Sequence, residues 1–316
     1  MLCKASGMNE RETALLALES EHSPERRLEA AETLVEQGDA SDVPRLIADA
    51  QVNVRRAGLA LAGTRLPPAE AKELLSRFVS APEVELRVEA TGRLADLALP
   101  DARGTLTVAL QDAQLPVRFE AARGIALLKH GAGFEVLVEG LKSADFRFRA
   151  AGALALLGDP RAVPPLKRAL NSWLVPPFDR TRVATALAVL GDEEGVAHLF
   201  SRVGKKLAID RPMAVEALGE LDSPEAKAKL LEILSTPGDF AQGTAARALG
   251  FHQGDDVKAA LLAAAKGEGS DDFKLDVAEG LLRQGARAEV EAMTLTDAEA
   301  QTELAQLLED YADEAR

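Results

Sequence analysis

The sequence predicts an all-α solenoid, a right-handed superhelix of about nine stacked helical hairpins. Three observations lead to it. A residue register returns along the chain at Arg27, Arg55, Arg87, Arg118, Arg147, Arg180 and Arg211, and continues as Gln242 and Lys274, at intervals of 28 to 33 residues. Near-constant spacing over so many units belongs to repeat architectures, in which each unit buries its apolar face against its neighbours. Of the 316 residues 47% are apolar but only 4% aromatic, and the apolar share is mostly Ala, Leu and Val, which suits helices packed at close range. No long stretch alternates apolar and polar residues between hairpin-turn dipeptides, so no sheet is expected.

Taken in order, residues 1–22 are expected to hold a capping helix, from Glu12 to Ser20, with Ala14, Leu15 and Leu18 facing inward. Residues 23–293 hold the repeats, and one spells out their grammar. In its first helix Phe146, Ala150, Ala153, Leu154 and Leu157 fall on one face of a 3.6-residue period. Gly158 follows as a residue tolerant of positive φ at the helix end, and Asp159 brings a side-chain oxygen near the start of the second helix. Pro164 sits in that helix's first turn, where a missing N–H costs least. Similar punctuation stands at Gly38-Asp39, Gly191-Asp192 and Gly254-Asp255. Residues 294–316 leave the register and read as an acidic capping helix. Thr296 and Glu299 have capping-box spacing, Ala300, Leu304, Leu307, Leu308 and Tyr311 make the apolar face, and Glu303, Glu309, Asp310 and Asp313 face away. The whole of 1–316 is thus expected to be one solenoid.

The pattern Val-Arg-x-x-Ala-Ala-x-x-Leu, followed by Gly-Asp-x-x-Ala-Val-Pro-x-Leu, resembles the short HEAT repeats of the phycobilisome-lyase-like type over roughly residues 9 to 290. The resemblance is specific for fold. Such repeats occur in chromophore lyases, hydroxylases, DNA-repair glycosylases and protein-binding scaffolds, so it does not choose a function. It implies a ladder between adjacent repeats in which Arg118, Arg147 and Arg180 pair with Asp159 and Asp192. For that reason the Arg register is read as structural and not as a basic groove.

The formal charge of −14 disfavours nucleic acid as the main partner, because phosphate binding relies on Lys and Arg. Cys3 is the only cysteine, and no segment approaches the length of an uninterrupted apolar membrane span. A cytoplasmic protein with neither a membrane segment nor a lipid anchor at Cys3 is expected. His22, His130, His198 and His252 lie in different repeats and none precedes a Glu, so the paired His-Glu motifs of HEAT-type deoxyhypusine hydroxylases are missing. Gly131-Ala132-Gly133 follows a helix and reads as a turn, and Ser270 or Asp271 reads as a helix cap ahead of Phe273. No catalytic residue, metal or cofactor is expected.

The register is interrupted once. Between Leu170 and Arg180 lies Asn171-Ser172-Trp173-Leu174-Val175-Pro176-Pro177-Phe178-Asp179, which holds the only Trp and falls in the longest interval. Two prolines forbid a continuous helix there. Trp173 and Phe178 either plug a gap between repeats or form an exposed anchor for a partner. From Lys142 to Arg182 eight basic residues face three acidic ones, whereas residues 286–316 carry nine acidic residues against Arg287 and Arg316. Lys167, Arg168 and Arg182 are therefore expected to join Trp173 and Phe178 in a partner-binding site that steers an acidic protein. The expected function is a non-enzymatic scaffold or adaptor, engaging a partner protein on a concave face or at the interrupted repeat. A bilin-lyase-like relative and a nucleic-acid-binding or DNA-repair protein are the alternatives.

Overall fold

A computed structural model describes residues 9–19 and 22–313, and the side chains of Ala312 and Asp313 are not among those described. Cys3 and Ser20 lie outside these residues. The described chain is helical throughout, without strand, and falls into two compact units divided between Asp159 and Pro160.

In the first unit the lone helix α1 (Glu10–Ala17) packs on α2 (Pro24–Gln37). The hairpin α2/α3 (Val43–Ile47) follows, then α4 (Val52–Arg65)/α5 (Pro68–Phe78), α6 (Val84–Asp96)/α7 (Arg103–Ala109) and α8 (Leu115–Leu127)/α9 (Phe134–Gly140), and α10 (Arg147–Leu157) ends the unit. The first helices of successive hairpins stack directly, α2 on α4 on α6 on α8 on α10. Their shared face is the core: Leu59, Leu61, Leu94, Phe119, Ile125 and Leu154 are fully buried. Small residues set the spacing. A Cβ on Gly124 of α8 would meet the Cβ of Ala95 at 2.6 Å and its Cα at 2.9 Å, so α6 and α8 touch backbone to backbone there. Asn9 caps α1 together with Glu12 in a reciprocal capping box, and Ala14 and Leu18 are buried as the apolar pattern predicts.

The second unit opens with α11 (Val163–Leu170). Its hairpins are α12 (Pro177–Val189)/α13 (Glu193–Val203), α14 (Arg211–Gly219)/α15 (Pro224–Ser235), α16 (Gln242–Leu249)/α17 (Asp255–Lys266) and α18 (Asp271–Arg283)/α19 (Arg287–Glu291). The last helix, α20 (Ala298–Asp313), packs on α18, with Ala300 and Leu304 buried and Glu303, Glu309 and Asp310 exposed. Its cap stands one residue later than the spacing suggested. Asp297 accepts the Glu299 and Ala300 amides, while Thr296 donates its amide and hydroxyl to Asp271. Gly158 ends α10 in the left-handed region at φ 72°, Pro164 lies in the first turn of α11, and Ser270 caps α18 through the Phe273 amide.

The Arg register forms a ladder, in which Arg118 and Asp192 have other partners than the resemblance implied. Arg87 donates to the Ala81 and Pro82 carbonyls at 3.0 Å and to Asp112 at 2.7 Å. Asp112 in turn accepts the Gln114 amide at 2.8 Å ahead of α8. Each rung thus ties a helix start to the loop before it and to the loop one repeat on. Arg55 repeats the arrangement on Asp49, Ala50 and Glu83, and Arg211 on Val203 and Asp239. Arg118 reaches the Asp112 and Ala113 carbonyls and lies 3.7 Å from Glu139, and Arg147 donates to the Leu141 carbonyl at 2.9 Å. Asp192 instead accepts Lys167 at 2.8 Å and caps α13 through the Glu194 amide. The reason is distance along the helix: Asp192 lies twelve residues beyond Arg180, about 18 Å at 1.5 Å per residue, at the opposite end of the same helix.

Candidate functional site

The connector 171–176 joins α11 to α12. One guanidinium nitrogen of Arg180 donates to the Ser172 and Val175 carbonyls, both at 2.9 Å, so the register residue of this repeat holds the connector from beneath. Asn171 is tied to Glu194 at 2.7 Å. Pro176 precedes the helix and Pro177 is its first residue, where its missing N–H would have no helical partner. The residue that plugs this repeat is Val175, buried to 5% exposure. Trp173 does not plug it. Its side chain is 85% exposed, beside Leu174 at 65%, and Phe178 on the first turn of α12 is 47% exposed. Trp173 and Phe178 are thus exposed and do not plug a gap between repeats.

The basic character of this stretch is largely answered by acids from other repeats. Lys167 lies 2.8 Å from Asp192 and 3.5 Å from Glu194, which hold its amine above the ordinary lysine range, chiefly through the Asp192 hydrogen bond. Arg182 lies 3.3 Å from Glu220. Arg149 makes a forked contact of 2.6 and 2.7 Å with the buried Glu120. Arg168 is exposed. A charge count over a stretch of sequence misses this because stacked repeats set residues about thirty positions apart against each other.

The next two loops on the same side, 204–210 and 236–241, also precede register helices, and both expose apolar side chains: Leu207 at 96%, Ile209 at 67% and Phe240 at 101%. Sequence reading passed over them because it followed the sole Trp and the longest interval. The signal was present, since these residues stand outside the helical apolar pattern. The loops are fixed from below. Buried Asp210 accepts Thr181 at 2.6 Å and Arg202 at 2.9 Å. Burial, the largest influence on this carboxyl, pushes its pKa up, yet the Arg202 and Thr181 bonds outweigh it and hold it below the ordinary carboxylate range. Asp239 is bound by Arg211 at 2.6 and 2.8 Å.

Among the described residues no three His, Cys, Asp or Glu side chains gather as a metal site, and no helix is long and apolar enough to cross a membrane.

Residues 104–177 and 208–282 match the family of HEAT repeats. No curated protein matches the sequence. Similar solved structures include a chain of the complex of CpcE and CpcF of phycocyanin lyase from Nostoc sp. PCC7120, 22% identical over 78% of this chain and 95% of that one, with a TM-score of 0.48. YibA of E. coli is 18% identical over 76% of this chain and 92% of its own, with a TM-score of 0.50, a likeness that bears on the fold alone. A chain of the Kap95p complex with RanGDP is 11% identical over 96% of this chain and 54% of its own, with a TM-score of 0.36. Register, hairpins and matched repeats agree: the chain is an all-helical array of hairpins that carries HEAT repeats over residues 104–177 and 208–282.

Proposed function

We propose that this protein is a scaffold without chemistry of its own, and that it binds a partner protein at the interrupted repeat. The observation that carries this reading is the solvated indole of Trp173, 85% exposed on a connector whose backbone is held by Arg180 and whose Val175 already fills the core. A Trp so placed contributes nothing to packing, and covering its ~150–250 Å² of surface at about 25 cal/mol/Å² brings roughly 4–6 kcal/mol before entropy losses. Exposed ion pairs bring only ~0–1 kcal/mol each, so the aromatics and not Lys167 or Arg182 supply affinity. Arg168 contributes to the rate of encounter with an acidic partner. The single cysteine suits a reducing compartment, and we place the protein in the cytoplasm.

The test is affinity capture from the native source with the full chain and with Trp173→Ala in parallel, followed by calorimetry on the captured partner. A protein retained by the first and lost by the second is expected. Equal retention of every captured protein by both would overturn the reading.

A further inference from the structure

In the second unit, three consecutive loops that precede register helices expose large apolar side chains, and among the described residues of the first unit none of the corresponding loops does. Loop 48–51 holds no apolar residue larger than Ala, and loops 79–83, 110–114 and 141–146 bring forward Val79, Leu110, Leu141 and Phe146, all buried or half-buried. Loops 171–176, 204–210 and 236–241 expose Trp173 and Leu174, Leu207 and Ile209, and Phe240. The contrast arises within one fold and one register, so it is not a property of the repeat.

The three loops are consecutive steps of one edge. Thr181, in the second turn of α12, binds Asp210 of the second loop, and Arg211, at the start of α14, binds Asp239 of the third. Neighbouring helices stack about 8–10 Å apart, so the edge runs about 20 Å. That is the span of roughly six residues of extended chain at ~3.3 Å each. Large apolar side chains exposed at three successive steps of one edge mark a candidate interaction surface.

The charge on the edge has one sign. The acids in these loops, Asp210 and Asp239, are spent inward on Arg202 and Arg211. Lys205 and Lys206 are exposed. In a chain of net charge −14, a strip whose outward charges are both positive selects an acidic occupant.

We propose that these three loops form a single ridge that binds an extended acidic peptide segment of a partner protein, its apolar side chains covering Trp173, Leu207 and Phe240 and its carboxylates meeting Lys205 and Lys206. The proposal rests on the partner-binding reading above and deepens it: Trp173 is one end of the site and not the whole of it.

The test pans a display library of short random peptides on the full chain and measures the recovered peptides, synthesised with a fluorophore, by anisotropy. Recovered sequences should carry Asp or Glu beside apolar residues. Leu207→Ser and Phe240→Ala should each weaken them by about tenfold or more, and Lys205→Glu with Lys206→Glu should weaken them most at low salt. All these residues are exposed, and unchanged circular dichroism will show that the variants fold. Recovery of basic peptides, of none, or of peptides indifferent to these variants overturns the ridge. So does a chain that sediments as a dimer and becomes monomeric on Phe240→Ser, since a second copy then covers the surface. If the natural partner loses affinity with Trp173→Ala but not with Leu207→Ser or Phe240→Ala, the ridge fails and the scaffold reading stands. If its affinity ignores Trp173 as well, the scaffold reading fails.

Discussion

Arg211 and Asp239 form a two-pronged ion pair of 2.6 and 2.8 Å with 6% and 4% of their side chains exposed, and it joins the start of one repeat to the loop before the next. The remaining guanidinium nitrogen donates to the Val203 carbonyl, and Asp239 also accepts the Ala241 amide, so few polar atoms of the pair are left over. Such a pair contributes little relative to apolar residues of the same shape, but removing one half strands the other charge.

Replacing Arg211 by Ala is therefore expected to lower stability by about 3–5 kcal/mol. Arg77→Ala, which breaks an exposed pair with Glu73 on α5, should change it by less than about 0.5 kcal/mol. Urea denaturation of the two variants beside the parent checks this, and equal midpoints for both variants would contradict a structural role for the register.

The same pair sets an acid limit. The hydrogen bond from Arg211 is the largest influence on the Asp239 carboxyl and holds it below the ordinary carboxylate range, against the opposing effect of burial. A depressed folded-state pKa contributes stability that is present above the unfolded value, about 3.9, and is lost as the pH falls through the folded one. Denaturation midpoints should hold between neutral pH and about 5 and fall below about 4, and the fall should be shallower in Asp239→Asn. An equally steep loss in that variant would assign the acid limb to other carboxylates.

Much of this architecture is legible in the sequence because repetition amplifies weak signals. One Arg ahead of an Ala-rich helix says little, but its return from Arg27 to Arg211 gives period, hairpin and core face together. The ladder's partners were not legible. Asp49, Asp112 and Asp239 stand in loops whose only sequence mark is an acid two residues before Gln51, Gln114 and Ala241. The Gly-Asp turns are louder and sit at the wrong end of the helix. The state of Trp173 was not legible either, because an aromatic beside two prolines fits a plug as well as an anchor. What decided it was that Val175, two residues on, takes the buried place.

Close helix contact gives a prediction whose sign opposes helix propensity. Gly124→Ala in α8 gains up to ~1 kcal/mol of intrinsic helix preference. Its new Cβ, however, meets Ala95 backbone at 2.9 Å and the Leu106 side chain at 2.9 Å. Overpacking of this kind costs about 1–3 kcal/mol, so a net loss is expected. Gly104→Ala in α7 meets nothing within 4 Å and should be neutral or stabilising by about 0.4–1 kcal/mol. Chemical denaturation of both variants decides it, and a stabilised Gly124→Ala would mean that α6 and α8 move apart at little cost.

Trp173 yields the sharpest contrast between packing and binding. A buried Trp truncated to Ala costs about 3–5 kcal/mol, whereas an exposed one changes stability by less than about 0.5 kcal/mol. With 85% of Trp173 in solvent and Val175 in the core beneath, Trp173→Ala is expected to melt with the parent, while Val175→Ala should lose about 1–3 kcal/mol. Because Trp173 is the only Trp, its fluorescence reports this one position. The free protein should emit as a solvated indole, fully open to iodide quenching, and a bound partner should shift the emission to the blue and protect it. Partner binding at the interrupted repeat would be excluded by a complex, demonstrated by calorimetry, in which the indole remains as quenchable as before.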